Sequence, residues 1–282
     1  MSRAAELEAH GSTVRLLSGK HKRVQLGHPW IYSNEIDMSA PVKALAPGSI
    51  VAFADANGRL LGTGFFNPHS LIAGRLVCRD GSAIDQALIE ERLNRALALR
   101  RRLYTLPFYR LVHAETDGLP GLVVDRYDDV LVLQPNAAGM DRLVDQIIAA
   151  LGAVLSPAAV LVKGDNAARR LEGLPTEVRW IGSPPVGPRE ILEGGVTFLA
   201  DLGDGQKTGW FYDHAPNRAL VAGQASGSSV LDLYCYLGGF ALQAARAGAS
   251  EVMGIDRSEQ ALSYAAQSAE RNGLSHVCHF RK

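Results

Sequence analysis

Four short apolar runs, VRLL, SIVAFAD, LLGTGFF and LIAGRLV, fall between residues 13 and 80, separated by turn residues such as Asn57-Gly58. Runs of strand length bounded by Gly, Asn and Asp predict a small β-barrel. The period changes at residue 82. Ile84, Leu88, Leu93 and Leu97 recur at helical spacing and predict a helix over 82–103, with Ser82 as N-cap and Asp85 three residues on, as in a capping box. RLVHAET, LVVDRY and VLVLQ read as three strands within residues 109–134, joined through Asp117-Gly118 and Asp128-Asp129. Met140, Leu143, Val144, Ile147, Ile148 and Leu151 then line one face of an amphipathic helix, and residues 159–163 return as a strand. Glycine and proline crowd 182–188, which marks a boundary, and 191–201 reads as a hairpin across Gly194-Gly195.

The stretch 229–256, SVLDLYCYLGGFALQAARAGASEVMGID, shows strand, glycine turn, helix and strand in succession. Gly248 ends the helix, and the second strand closes on Asp256. This is a βαβ unit of the kind that binds nucleosides at the carboxyl ends of parallel strands. Gly238 and Gly239 allow a ligand close to the backbone where strand becomes helix. Asp256 stands where a carboxylate accepts both hydroxyls of an adenosine ribose. The dinucleotide pattern of three spaced glycines is absent, which disfavours a nicotinamide cofactor. Asp232, at the end of the first strand, suits a cationic amino group such as that of S-adenosylmethionine. An ordinary α/β crossover would use the same glycines, and spacing leaves both readings open.

Composition narrows the setting. With 282 residues, 47% of them hydrophobic, the chain can hold two or three packed domains. Its 29 basic and 29 acidic residues cancel, so any nucleic-acid contact has to come from local patches. Cys78, Cys235 and Cys278 are spaced neither for zinc nor as a disulfide set, which points to a reduced, cytoplasmic location. No metal site and no membrane span is expected. His113, Glu115 and Asp117 would share one face of an extended strand, a pattern too sparse for a metal. The three arginines 100–102 end the long helix and complement its dipole. Lys20, Lys22 and Arg23 precede His28-Pro29-Trp30, and cations beside an aromatic suit phosphate contact and base stacking. A solvated loop over a packed Trp explains the same residues.

Four segments carry a family resemblance, in order along the chain. DLYCYLGGF (232–240) resembles the first motif of class I methyltransferases acting on RNA, and GQKTGWFYDHAPNR (205–218) is similar to a block of 23S ribosomal RNA methyltransferases. GHPWIYSNEI (27–36) and DGLPGLVVDRY (117–127) match two more segments of that family, which joins a PUA domain to a methyltransferase domain. The resemblance implies an α/β multidomain chain: a PUA-like RNA-binding barrel over 12–81, a linker helix over 82–104, a small α/β middle domain over 105–182, and part of a Rossmann-like methyltransferase domain over 183–282.

By resemblance, Asp232, Tyr234, Gly238, Gly239, Asp256, Arg257, Ser258, Asp213 and Lys207 bind S-adenosylmethionine. Thr208 and Phe211 join them as cofactor-side candidates. Lys20, Lys22, Arg23 and Trp30 are the candidates for RNA contact. The implied activity is formation of 5-methylcytosine in 23S ribosomal RNA, with a homodimer as a further expected assembly. Cytosine C5 methylation needs a cysteine thiolate to attack C6. Cys235 is expected to be a packing residue and Cys278 to be buried, so the resemblance places the attacking cysteine beyond Lys282. A seven-stranded sheet needs roughly a hundred residues after Asp256. The chain is therefore expected to be truncated, inactive as given, and labile after about Gly205, with unpartnered apolar strands. An RNA-binding module without catalysis and a guanine methyltransferase are the alternatives.

Overall fold

The computed structural model describes residues 12–282. Its first unit contains β1 (Thr13–Arg15), α1 (Lys22–Gln25), β2 (Trp30–Ile31), α2 (Ala40–Lys43), β3 (Ser49–Ala54), β4 (Leu60–Phe66) and β5 (Gly74–Cys78). The five strands form one sheet in the order β1-β3-β4-β5-β2, curled around Val14, Leu16, Ile31, Phe53 and Phe66. The turn between β3 and β4 is held by Asp55, whose Oδ1 accepts the amides of Asn57 and Arg59 at 2.9 and 2.8 Å.

The linker helix α3 runs over Gln86–Leu103. It starts later than the capping pattern predicts. The side chain of Asp80 accepts both the amide and the hydroxyl of Ser82, and Asp85 caps the helix by accepting the Leu88 amide at 3.0 Å. At the other end Arg100 does more than complement a dipole. It is buried and forms a two-pronged pair with Asp117, at 2.9 and 2.7 Å.

The second unit comprises β6 (Phe108–His113), β7 (Leu122–Tyr127), β8 (Val130–Pro135), α4 (Ala138–Arg142), α5 (Val144–Leu155), β9 (Ala159–Gly164), α6 (Ala167–Leu171) and β10 (Glu177–Gly182). The sheet order is β10-β9-β8-β7-β6, with β8 and β9 parallel and the other pairs antiparallel. The single amphipathic helix expected over 140–151 is broken at Leu143 into α4 and α5, yet its apolar face remains buried. After β6 the chain turns into a short 3-10 segment, Ala114–Asp117, so His113, Glu115 and Asp117 do not share a strand face. No metal-holding group exists among the described residues.

Polar contacts lock the first unit to the second. Glu172 accepts from Asn67, Ser70 and Arg75 at 2.9–3.0 Å, and Glu115 accepts Trp30 Nε1 at 2.7 Å. Gly139 lets the chain pass against the Phe65 ring, where a Cβ would lie 2.0 Å from it.

The third unit begins with a hairpin, β11 (Arg189–Glu193) and β12 (Val196–Ala200), followed by α7 (Ala215–Ala222), β13 (Ser229–Leu233), α8 (Gly239–Arg246), β14 (Glu251–Ile255), α9 (Glu259–Arg271) and β15 (Cys278–Arg281). Side chains of α9 cover the hairpin edge: Ser268 Oγ accepts the Leu199 amide, and Asn272 bonds both backbone groups of Thr197. β13, β14 and β15 form a parallel sheet in that order. The strands are thus partnered on the β14 side, where α8, α9 and the hairpin share a core with Tyr127, Val132 and Leu161 of the second sheet. The outer strand β13 leaves Leu231 and Leu233 60% and 56% exposed.

Candidate cofactor site and nucleic-acid face

The glycine turn between β13 and α8 is strained in a way its composition explains only in part. Gly238 has φ +72° and opens α8, as its lack of a side chain permits. Tyr234 and Tyr236 also have positive φ, at +61° and +50°, and so does Lys207 across from them, at +49°. Three of the six non-glycine residues in this conformation among those described therefore meet at one site. Each costs about 1–3 kcal/mol, and such strain collects where a loop is shaped for a ligand.

Two carboxylates stand at the carboxyl ends of β13 and β14. Asp256 accepts the Tyr236 amide on Oδ2 and the Ser258 amide on Oδ1, both at 2.9 Å. A carboxylate has about four lone-pair sites, so two remain on a group already oriented by backbone N–H donors. Asp232 accepts the Ala241 amide in the first turn of α8 at 3.1 Å. Burial, joined by the charge on Asp256, pushes its carboxyl up to about 6 against the lowering effect of that amide. A cation placed beside Asp232 would reverse this cost.

The 205–218 block arches over the same place. The Tyr236 hydroxyl accepts the Gln206 amide at 3.1 Å and donates to the Gly209 carbonyl at 3.2 Å. Two small cavities flank Tyr236 and Leu237. One, of about 50 Å³, reaches Asp201, Gly205, Ser258 and Tyr264; the other, of about 90 Å³, reaches Trp210, Phe211, Arg218 and Gly239. Gly239 lies flat against Arg218 and Trp210, where a Cβ would come within 3.1 Å of both.

The block is held from the second sheet. The Tyr127 hydroxyl donates to the Thr208 carbonyl, the Thr208 hydroxyl donates to Asp125 at 2.6 Å, and the Tyr212 hydroxyl donates to the Arg126 carbonyl. Thr208 is fully buried and serves as an anchor rather than a cofactor contact. Glu193 of the hairpin accepts from Arg218, Trp210 and Gln243. Neither Asp125 nor Glu193 is marked as a site residue by local spacing, because Asp125 reaches the block through Thr208, 83 residues on, and Glu193 acts through partners 17–50 residues away.

The remaining candidates divide. Ser258 caps α9 by accepting the Ala261 amide. Lys207 lies over the Phe211 ring at 4.4 Å, and Phe211 faces Tyr236 edge-on. Tyr234 and Arg257 are exposed at the rim. Asp213 points to the surface, its nearest ionic partner His214 at 3.8 Å, and it lines neither small cavity. Cys235 and Cys278 are buried, and burial pushes their thiols up to about 12 and about 11. Thiols so placed form little thiolate, the form that acts as a nucleophile.

On the first unit, Lys20 and Lys22 are exposed. Arg23 is committed inward, donating to Glu35 at 2.7 Å and to the Trp30 carbonyl at 3.1 Å, while its guanidinium stacks on Tyr32. Trp30 is half-buried and bonded to Glu115. Of the four RNA candidates, the two lysines keep free charge at the surface. Arg59 and Arg79, which the motifs missed, line an open cleft of about 390 Å³ beside Val24 and Gln25.

Residues 14–79 match the PUA-like domain family, and residues 134–278 match the S-adenosylmethionine-dependent methyltransferase family. The chain is 37% identical over 271 residues to Ribosomal RNA large subunit methyltransferase I of Shewanella denitrificans, across 94% of this chain and 68% of that protein. The protein of the same name from Pseudoalteromonas translucida is 35% identical over 268 residues, across 93% of this chain and 67% of its own length. A chain from Streptococcus mutans described as a SAM-dependent methyltransferase superposes with a TM-score of 0.80 at 21% identity, covering 95% of this chain and 70% of its own. A methyltransferase structure complexed with S-adenosylhomocysteine gives the same TM-score, 0.80, and the same 21% identity, over 95% of this chain and 68% of its own. These two superpositions show a shared fold.

Proposed function

The chain belongs to the S-adenosylmethionine-dependent methyltransferases that carry an N-terminal PUA-like domain, and from that membership we propose that it methylates large-subunit ribosomal RNA, forming 5-methylcytosine in the 23S molecule. The observation that carries the reading is the meeting of Asp232, Asp256 and the Gly238-Gly239 turn beneath the 205–218 block. These residues fit S-adenosylmethionine: two carboxylates for an amino group and a ribose, and a turn without side chains for close approach. When bound, that cofactor supplies a methyl group on a positively charged sulfur. Asp256, fixed by two amides, orients the ribose. Asp232 holds the amino group and gains from being ionised beside it. Gly238, in left-handed conformation, and Gly239, packed on Arg218 and Trp210, shape the turn on which the cofactor would lie, and Ser258 keeps the Asp256 loop closed. Tyr234, Lys207 and Arg257 form the rim through which the target base approaches.

Residues 12–81 serve as the RNA-binding unit, with Lys20 and Lys22 on phosphates, 82–104 as the linker, 105–182 as the brace and 183–282 as the cofactor-binding part, in a protein that works in the cytoplasm as a homodimer. The relatives named for ribosomal RNA methylation support the substrate class. Cys78, Cys235 and Cys278 are all buried, so none of them is assigned the attack on cytosine C6, and the C5 reaction requires a thiolate other than these three. The test is incubation of the intact protein with unmodified large-subunit RNA and methyl-labelled S-adenosylmethionine. Label at cytosine C5 is expected; label confined to guanine would overturn the product assignment.

A further inference from the structure

Lys163 is the most deeply buried cation of the second sheet, with no exposed surface, and it makes no ion pair within 4 Å among the described residues. It projects from β9 into the 201–205 loop. Its ammonium donates to three backbone carbonyls there: Leu202 and Gly203 at 2.9 Å and Gly205 at 2.5 Å. An ammonium has three N–H bonds, and all three are used. Asp201 closes the same loop from within, accepting the amides of Gly203 and Asp204 on Oδ1 and the Gly205 amide on its carbonyl.

Burying an ammonium without a carboxylate partner is expensive, and exposed loops seldom contain one. The loop it fixes leads directly to the candidate site. Gly205 passes Tyr236, where a Cβ would come 3.1 Å from the hydroxyl, and Gln206 donates its amide to that hydroxyl. Tyr236 donates its own amide to Asp256. Asp201, Asp204, Gly205 and Gln206 also form one wall of the cavity bounded by Tyr236 and Ser258. A continuous set of hydrogen bonds therefore runs from β9, through the loop, to the carboxylate assigned to the ribose.

We propose that Lys163 is a positioning residue for cofactor binding: it holds the 201–206 loop as the preformed wall of the pocket from outside the methyltransferase sheet. This rests on the site reading above. Burial lowers the lysine's proton affinity, while Asp165, Asp201 and Asp204 act to keep it charged.

The test compares unaltered chain with Lys163→Met, which keeps length and loses charge and donors, by calorimetric titration with S-adenosylhomocysteine under conditions where circular dichroism shows both folded. Affinity is expected to fall at least tenfold. Lys163→Gln, which keeps an N–H donor at shorter reach, is expected to fall between the two. Hydrogen exchange read on the same samples is expected to quicken at Gly203, Asp204 and Gln206 while Val160–Val162 stay protected. A variant that melts at lower temperature but binds S-adenosylhomocysteine as tightly as the unaltered chain would show a purely structural role and overturn the proposal. If neither variant folds, the unaltered chain decides: binding should slow exchange across 201–206, and an unchanged loop would overturn it. No binding by the unaltered chain would refute the site reading itself, a distinct result that also removes the positioning role.

Discussion

The second and third sheets of this protein contain similar apolar strands but use them differently. In the second, β8 and β9 are buried along their whole length, flanked by strands on both sides, and three ion pairs pack around them, Asp125 with Arg110, Arg169 with Asp141 and Arg100 with Asp117, while Lys163 of β9 is held by backbone carbonyls. In the third, β13 is an outer strand with two exposed leucines, and the turn that follows carries two tyrosines in left-handed conformation. The contrast separates brace from site. A ligand site needs strained backbone and partly unsatisfied carboxylates, and these persist only where a rigid neighbour holds them. Here the neighbour is the second sheet, through Tyr127, Asp125 and Lys163.

Breaking the brace should have the largest effect. Asp117→Ala leaves the Arg100 guanidinium buried without its carboxylate and removes the acceptor of the His113 amide. Loss of one partner of such a pair costs about 3–5 kcal/mol, so urea denaturation is expected to show a much lower midpoint for the first two units. Alanine at Asp145, which is almost fully exposed and 3.7 Å from Arg179, should change the unfolding free energy by less than about 0.5 kcal/mol. Limited proteolysis sharpens the same contrast. Cleavage is expected first after residue 205, in the loop and the outer edge of the third unit, with residues 13–80 persisting; equal protection of both regions would erase the distinction.

How far the sequence foretold this division depends on range. The βαβ unit, the hairpin across Gly194-Gly195 and the buried face of residues 140–151 were legible because each is local: a period, a turn residue, a short apolar run. The start of α3 was not, since Ser82 and Asp85 are equally good caps until Asp80 claims Ser82. The brace was hidden for a stronger reason. Asp125, Tyr127 and Lys163 look like ordinary strand residues, and their partners lie 39–83 residues away. Arg23 and Trp30 have the composition of an RNA contact, and their ties to Glu35 and Glu115 were hidden by the 12 and 85 residues that separate the partners.

An intermediate effect is expected from pH. Asp232 has a folded-state pKa raised from 3.8 to about 6. A raised carboxyl binds its proton more tightly when folded, so its contribution to stability is greatest below pH 4 and is lost as pH rises through 6. Cofactor binding should run the other way, because the ionised form receives the amino group. Affinity for S-adenosylhomocysteine is expected to rise between pH 5 and 7, and Asp232→Asn should flatten that rise. The smallest effect concerns Cys235. With its thiol pushed up to about 12, alkylation by iodoacetamide at pH 8 should be slow in the folded chain and rapid after denaturation.

Asp256 is the point at which brace, strained turn and proposed cofactor meet, so the account stands or falls on it. The most direct measurement is calorimetric titration of S-adenosylhomocysteine into the unaltered chain and into Asp256→Ala. One molecule is expected to bind per chain, and the substitution should weaken binding at least tenfold, about 1.4 kcal/mol. Equal affinity in the two proteins would contradict the assignment of the ribose to Asp256 and with it the placement of the cofactor.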